Sequence, residues 1–124
     1  MTPEQKIKHL ILIRNAEIGD KELPTDITSE NIDDLYSNID EPWDDIYAIR
    51  AGEVETNLPT ECSRHYESKS VAAKAPDGSW VGWTYWYGGG KHGDPESIDW
   101  MDSAYDLSVT EEEKLVIVRT FKKI

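Results

Sequence analysis

The chain has 124 residues, a length that fits one domain built around one hydrophobic core. Its formal net charge of −12 makes direct binding to nucleic acid or to an anionic membrane surface unfavourable, because like charges repel. No apolar run approaches the roughly 18 residues of a membrane span, the N-terminus lacks a signal-peptide pattern, and the single cysteine predicts a reducing, cytoplasmic location.

Two strands and one helix are predicted in the first half of the chain. Lys8–Arg14 has an apolar centre, Leu10–Ile13, with two β-branched isoleucines, which predicts a short buried strand. A helix is expected to follow a cap at Thr28 or Ser29 and to end before Pro42, because proline cannot continue a helix from within. Its buried residues recur at helical spacing: Ile32, Leu35, Tyr36 and Ile39. Asp45–Val54 is predicted to form a second strand.

The clearest structural pattern in the sequence is a β-hairpin. The strand Ser63–Ala75 leads into Pro76-Asp77-Gly78, which supplies the backbone angles of a short hairpin loop. In the return strand Ser79–Tyr87, alternation puts Val81, Trp83, Tyr85 and Tyr87 on one face and Trp80, Gly82, Thr84 and Trp86 on the other. Large aromatic residues on both faces indicate a strand covered on both sides, or one with a covered face and a binding face.

The last third of the chain is predicted to hold a second helix and two more strands. Three glycines at 88–90 should break the preceding strand, and the sequence at 94–96, Asp-Pro-Glu, is typical of a helix start. The buried stripe of that helix would be Ile98, Met101 and Tyr105, and strands are expected at Leu107–Val109 and Lys114–Lys123. The predicted fold is therefore a single α+β domain, residues 1–124, with a mainly antiparallel sheet of about five or six strands and two helices.

The negative charge is concentrated in two stretches of the sequence. Residues 17–45 contain eleven acidic residues against one lysine, a net charge of −10, and residues 94–113 add eight acidic residues and no base. A surface of this kind attracts a positively charged macromolecule. The candidate partner-binding residues are Glu30, Asp33, Asp34, Asp40, Glu41, Asp44 and Asp45.

The glycine-rich segment after the hairpin is a candidate ligand loop. A strand, a glycine loop and a lysine before a helix resemble a phosphate-binding loop only loosely, because acidic residues at the helix start repel an anion. The alternative is that the glycines serve backbone geometry alone. The residues of the candidate loop site are Trp83, Trp86, Gly88, Gly89, Gly90, Lys91, His92, Asp94 and Glu96.

No cofactor, metal site or catalytic group is predicted. Cys62 and His65 have a spacing that zinc can use, but a zinc site needs four ligands and the other histidines are distant in sequence. Ser63, His65 and Glu67 would share one face of a strand, where side chains point in parallel and do not form a charge relay.

Three segments carry a resemblance to a group of known proteins. They are Ser63–Val71, Asp77–Gly93 with the sequence DGSWVGWTYWYGGGKHG, and Pro95–Trp100. Over these segments, about a third of the chain, the sequence resembles small proteins of unknown function encoded by bacteriophages and prophages. The resemblance implies a phage or prophage origin and a place in the cytoplasm of a bacterial host cell, and it implies no activity.

These observations favour an acidic protein-binding module over an enzyme. The expected partner is a host or phage protein with a basic surface. The specific hypothesis is that the protein inhibits a host nucleic-acid-binding or defence protein by mimicking the negative charge of nucleic acid. The alternatives are a small-ligand-binding or enzymatic domain with its site at the glycine loop 88–93, and a structural or assembly protein.

Overall fold

The fold is an α+β arrangement in which three helices precede an antiparallel sheet along the chain. The structure is a computed structural model that describes residues 1–60, 66–88, 98–109 and 119–123. The helices are α1 (Pro3–Ile18), α2 (Ile32–Ser37) and α3 (Trp43–Arg50). The strands found within these residues are β1 (Val54–Glu55), β2 (Glu67–Lys74), β3 (Trp80–Tyr87) and β4 (Tyr105–Leu107), in the spatial order β1-β2-β3-β4.

Helix α1 replaces the strand predicted at Lys8–Arg14, and that prediction was wrong. The Thr2 hydroxyl accepts a hydrogen bond from the Gln5 amide, the Gln5 side chain accepts one from the Thr2 amide, and Pro3 occupies the first turn. This capping box starts a helix well before the apolar run. The buried stripe of the helix includes Ile11 from this run and Ile7 just before it, both fully buried.

The predicted helix after residue 28 is confirmed, but it is shorter than expected. Helix α2 begins at Ile32 after Asn31 rather than after Thr28 or Ser29. The predicted strand Asp45–Val54 is wrong, because residues 43–50 form helix α3. Ile46 and Ile49, three positions apart, pack together against the core, which is a helical and not a strand periodicity.

The predicted hairpin is confirmed. Strands β2 and β3 pair antiparallel along their whole length, from Glu67 opposite Tyr87 to Lys74 opposite Trp80. The turn is closed by the Ala75 amide, which donates to the Ser79 carbonyl at 2.7 Å, and Gly78 has a φ of 90°. A side chain rarely adopts that angle, so the glycine is required by the turn.

The segment after the glycine loop differs from the prediction. Residues 98–104 form bends and turns instead of a helix, and Tyr105 lies in β4 rather than on a helical stripe. Trp100 nevertheless enters the core, where its ring centroid lies 5.4 Å from that of Trp83. The strand predicted at Leu107–Val109 is displaced to Tyr105–Leu107. Most of the strand predicted at Lys114–Lys123 lies outside the described residues, and residues 119–123 are not in a strand.

The core lies between the helices and one face of the sheet. Val81 and Trp83 of β3 are fully buried there with Ile7 and Ile11 of α1. The Lys6 ammonium adds a link from α1 to β4, at 2.6 Å from the Asp106 carboxylate. Within the described ranges, no helix combines the length and the hydrophobicity that a membrane crossing requires.

Candidate functional site

The seven acidic residues proposed for partner binding divide into paired and unpaired carboxylates. Asp45 is only 5% exposed. The Asn15 amide donates to its carboxylate at 2.8 Å, and the Arg14 Nε atom lies 3.5 Å from its other oxygen. The assignment of Asp45 to the partner surface is therefore corrected: helix geometry turns it inward, where it joins α3 to α1.

Asp33 is exposed but held by side chains of α1. Lys8 Nζ lies 2.9 Å from one carboxylate oxygen, and the Gln5 amide donates to the other at 3.2 Å. The hydrogen bond from Lys8, followed by that from Gln5, lowers the pKa of Asp33. Lys8 also lies 3.7 Å from Glu4, so its single positive charge serves two carboxylates. Asp33 therefore links α2 to α1 and offers a partner less charge than its neighbours do.

The other five acidic residues are exposed. Within the described part of the chain, their carboxylates make no ion pair or hydrogen bond. They are Glu30, Asp34, Asp40, Glu41 and Asp44. Three of them, Asp40, Glu41 and Asp44, lie within five residues where the chain passes from α2 into α3. We call these three residues the acidic patch.

Two exposed aromatic residues lie beside the acidic patch, and they were not predicted. Trp43 is 74% exposed and Tyr47 is 55% exposed, although both residue types are usually more buried. They are four positions apart on α3, which places them on the same face of the helix. The predicted strand began at Asp45, which separated Tyr47 from Trp43, so the sequence analysis did not place the two residues on one element.

Trp43 and Tyr47 form the wall of a small cavity on α3. The cavity has a volume of about 150 Å³ and is lined by Trp43, Ile46, Tyr47 and Arg50. Arg50 comes from the last turn of the helix and is only 4% exposed. The cavity therefore combines aromatic side chains with a buried cation, next to exposed carboxylates.

Arg50 is held in place by the sheet. Its Nη1 atom donates to the Trp86 carbonyl at 2.7 Å, and its guanidinium carbon lies 4.8 Å from the Tyr85 ring and 5.5 Å from the Tyr47 ring. Both ring distances are in the range of a cation–π interaction. The Trp83 indole donates to the Arg50 carbonyl at 2.8 Å, so this residue joins α3 to β3. Among the described residues, the Arg50 Nε atom has no hydrogen-bond partner.

The candidate ligand loop gains no support from the two tryptophans assigned to it. Trp83 is fully buried in the core and Trp86 is 9% exposed, and the two lie on opposite faces of β3. Residues on opposite faces of one strand do not line one site, so their joint assignment is corrected. Gly88 is exposed and has a φ of 74°. The other loop residues lie outside the described residues: Gly89, Gly90, Lys91, His92, Asp94 and Glu96.

A second cavity lies between α1 and the hairpin turn. Its volume is about 230 Å³, and its lining includes Lys6, His9 and Asp77. Burial lowers the pKa of His9, and the Asp77 carboxylate opposes that shift. Two hydrogen bonds from Ser79 lower the pKa of Asp77. This cavity therefore holds a histidine that resists protonation.

The described residues contain no group of three or more histidine, cysteine, aspartate or glutamate side chains that could hold a metal ion. Cys62 and His65, whose spacing suits zinc, lie outside those residues. In comparisons with known proteins, no family model, curated protein or solved structure matches the chain.

Proposed function

We propose that the protein is an acidic binding module of phage or prophage type that docks against a basic surface of another protein. The observation that carries this proposal is the acidic patch, Asp40, Glu41 and Asp44, whose carboxylates are exposed and unpaired within the described residues. Carboxylates that no cation of the same chain neutralises keep their charge available for a partner.

The charge balance of the whole chain supports a protein partner over a nucleic acid. With a net charge of −12, the chain repels phosphates at long range and accelerates encounter with a basic groove. Such grooves occur on proteins that bind nucleic acid. We therefore propose inhibition of a host nucleic-acid-binding or defence protein, in which the chain occupies the groove that DNA or RNA would use.

The resemblance to phage and prophage proteins is the second support for this proposal. It rests on three segments, of which Asp77–Gly93 is the longest, and it makes a bacterial host protein the expected target and the host cytoplasm the expected location. The acidic patch lies outside those segments, so the two supports are independent.

The proposal predicts which carboxylates matter to binding. A partner would be captured from a bacterial lysate with the tagged chain, purified, and its dissociation constant measured at about 0.1 M and about 0.5 M salt. The screening length falls from about 10 Å to about 4 Å between these concentrations, so binding should weaken strongly. Duplex DNA added at low salt should compete with the chain for the same groove.

Two triple variants with the same total charge distinguish binding at the acidic patch from a general effect of the net negative charge of the chain. Asp40→Asn, Glu41→Gln and Asp44→Asn together should weaken binding about tenfold, if each exposed pair contributes about 0.5 kcal/mol. The control variant changes another exposed acidic stretch, Glu17→Gln, Asp20→Asn and Glu22→Gln, and should stay within about twofold of wild type. Equal loss in both variants, or binding that salt leaves unchanged, contradicts the proposal.

A further inference from the structure

The hairpin turn contains the one Asp-Gly pair of the chain, Asp77-Gly78, and the sequence has no Asn-Gly pair. An aspartate followed by glycine is prone to react with its own main chain, because glycine has no Cβ atom to hinder the approach of its amide nitrogen. Both residues are exposed, in the turn between β2 and β3. The turn therefore places a reactive pair where water reaches it.

The reaction of such a pair is a cyclisation followed by hydrolysis. The Gly78 amide nitrogen attacks Cγ of the protonated Asp77 carboxyl group. A C–N bond forms, and the amide proton and the carboxyl hydroxyl leave as one water molecule. Water then opens the resulting succinimide ring at one of its two carbonyl carbons. Opening at the main-chain carbonyl leaves the chain linked through the Asp77 side chain, as isoaspartate, and opening at the other carbonyl restores aspartate.

The folded turn holds Asp77 in the form that does not react. The Ser79 main-chain N–H and hydroxyl both donate to Asp77 Oδ1, at 2.9 Å and 2.6 Å. These donors stabilise the ionised carboxylate and lower the pKa of Asp77. The ionised carboxylate is a poor electrophile, because it has no hydroxyl group to expel as water. Ser79 therefore reduces the fraction of Asp77 that can cyclise.

The nucleophile of the reaction is also held by the turn. The Gly78 N–H donates to the Ala75 carbonyl at 2.9 Å, and the Ala75 amide donates to the Ser79 carbonyl at 2.7 Å. The Gly78 nitrogen must lose its proton and rotate toward Cγ before it attacks. Both changes break the hydrogen bond to Ala75, so cyclisation requires the turn to open.

We propose that Asp77-Gly78 is a latent isomerisation site, at which the folded hairpin suppresses conversion of Asp77 to isoaspartate and opening of the turn permits it. The conversion adds one carbon, the Asp77 Cβ, to the main chain between Ala75 and Ser79. The turn then no longer matches the hydrogen bonds that close it. This inference concerns the hairpin and is independent of the proposed function.

The test follows isoaspartate formation in the full chain at neutral pH and physiological temperature. One sample is folded and the other is unfolded in guanidinium chloride. Isoaspartate would be quantified with an isoaspartate-specific methyltransferase and located by peptide mapping and mass spectrometry. The unfolded chain should form isoaspartate at Asp77 roughly tenfold faster or more, because its reaction does not wait for the turn to open.

A set of variants tests the part that Ser79 plays. Ser79→Ala removes the hydroxyl donor and should accelerate the reaction of the folded chain roughly three- to tenfold, since the bond is exposed to water. Ser79→Thr keeps a hydroxyl and should remain near the wild-type rate. The matched control is Ser37→Ala, which removes another exposed serine hydroxyl, one that donates to the Asp33 carbonyl at 2.9 Å, and should change nothing. Asp77→Glu should abolish the signal, because the six-membered ring forms far more slowly.

Thermal unfolding of each variant distinguishes loss of the contact from loss of the fold. The inference is overturned if the folded chain forms isoaspartate at Asp77 as fast as the unfolded chain does. It is also overturned if Ser79→Ala reacts at the wild-type rate, or if Ser37→Ala accelerates the reaction equally. Should Ser79→Ala fail to fold, the comparison of Ser79→Thr and wild type with the unfolded chain still decides whether the turn protects Asp77.

Discussion

Asp44 and Asp45 are neighbours in the chain, and we predict that they have opposite roles. Asp44 is exposed and belongs to the acidic patch, whereas Asp45 is buried against Asn15 and Arg14. Both carboxylates lie in the first turn of α3, so they share the favourable interaction with the helix dipole. A comparison of Asp44→Ala with Asp45→Ala therefore isolates the effect of the buried contacts.

The expected loss for Asp45→Ala follows from those contacts. A hydrogen bond to a charged group contributes about 1.5 to 3 kcal/mol, and the variant leaves Asn15 without this acceptor. The pair with Arg14 adds at most about 1 kcal/mol, because Arg14 is half-exposed. Removing a carboxylate from a buried position offsets part of this. The net loss should be about 2 kcal/mol, or about 6 to 10 °C in Tm for a chain of this size.

The assay is thermal unfolding followed by circular dichroism, with urea unfolding for the free energy. Asp44→Ala should lose only about 0.5 kcal/mol, which reflects the helix dipole, and should weaken binding to a basic partner. Asp45→Ala should show the reverse pattern. Equal shifts in Tm for the two variants, or an unchanged Tm for Asp45→Ala, would refute the division into paired and unpaired carboxylates.

Two further predictions concern the sheet and the second cavity. A Cβ atom on Gly82 would lie 2.7 Å from the Tyr105 ring and 2.9 Å from Leu107, so Gly82→Ala should displace β4 and cost about 1 to 2 kcal/mol in urea unfolding; a fully stable variant would contradict this packing. Because burial lowers the pKa of His9, its unfolded form binds the proton more readily, and stability should fall as the pH drops below His9's ordinary value of 6.5. His9→Gln should flatten the stability profile between about pH 7.5 and about pH 5.5, and an unchanged slope would assign the effect to another group.

The hairpin was predictable because its determinants are local. Pro76-Asp77-Gly78 sets the turn, and alternation along β3 sets which residues face the core. Val81 and Trp83 are fully buried on the core face, but Gly82 and Trp86 on the other face are buried as well, so burial alone does not follow the alternation. Helix α2 was also predictable from its periodicity, although its start was misplaced by a few residues.

The two strand predictions failed for reasons that can be traced to particular residues. At Lys8–Arg14, the prediction gave more weight to a short apolar run with two isoleucines than to the capping box at Thr2 and Gln5, a signal that the sequence contained. At Asp45–Val54, the spacing of Ile46 and Ile49 fits a helix, but short apolar patterns are ambiguous until packing decides between them.

Sequence alone determined the composition-level properties of this protein: its acidity, the stretch that carries most of the charge, and the hairpin with its aromatic strand. It did not determine which carboxylates face solvent, because Asp44 and Asp45 differ only in their direction from α3, and that direction depends on where the helix docks against α1. The cavity formed by Trp43, Tyr47 and Arg50 also depends on tertiary structure, since the contacts that hold Arg50 come from β3, more than thirty residues away in the chain.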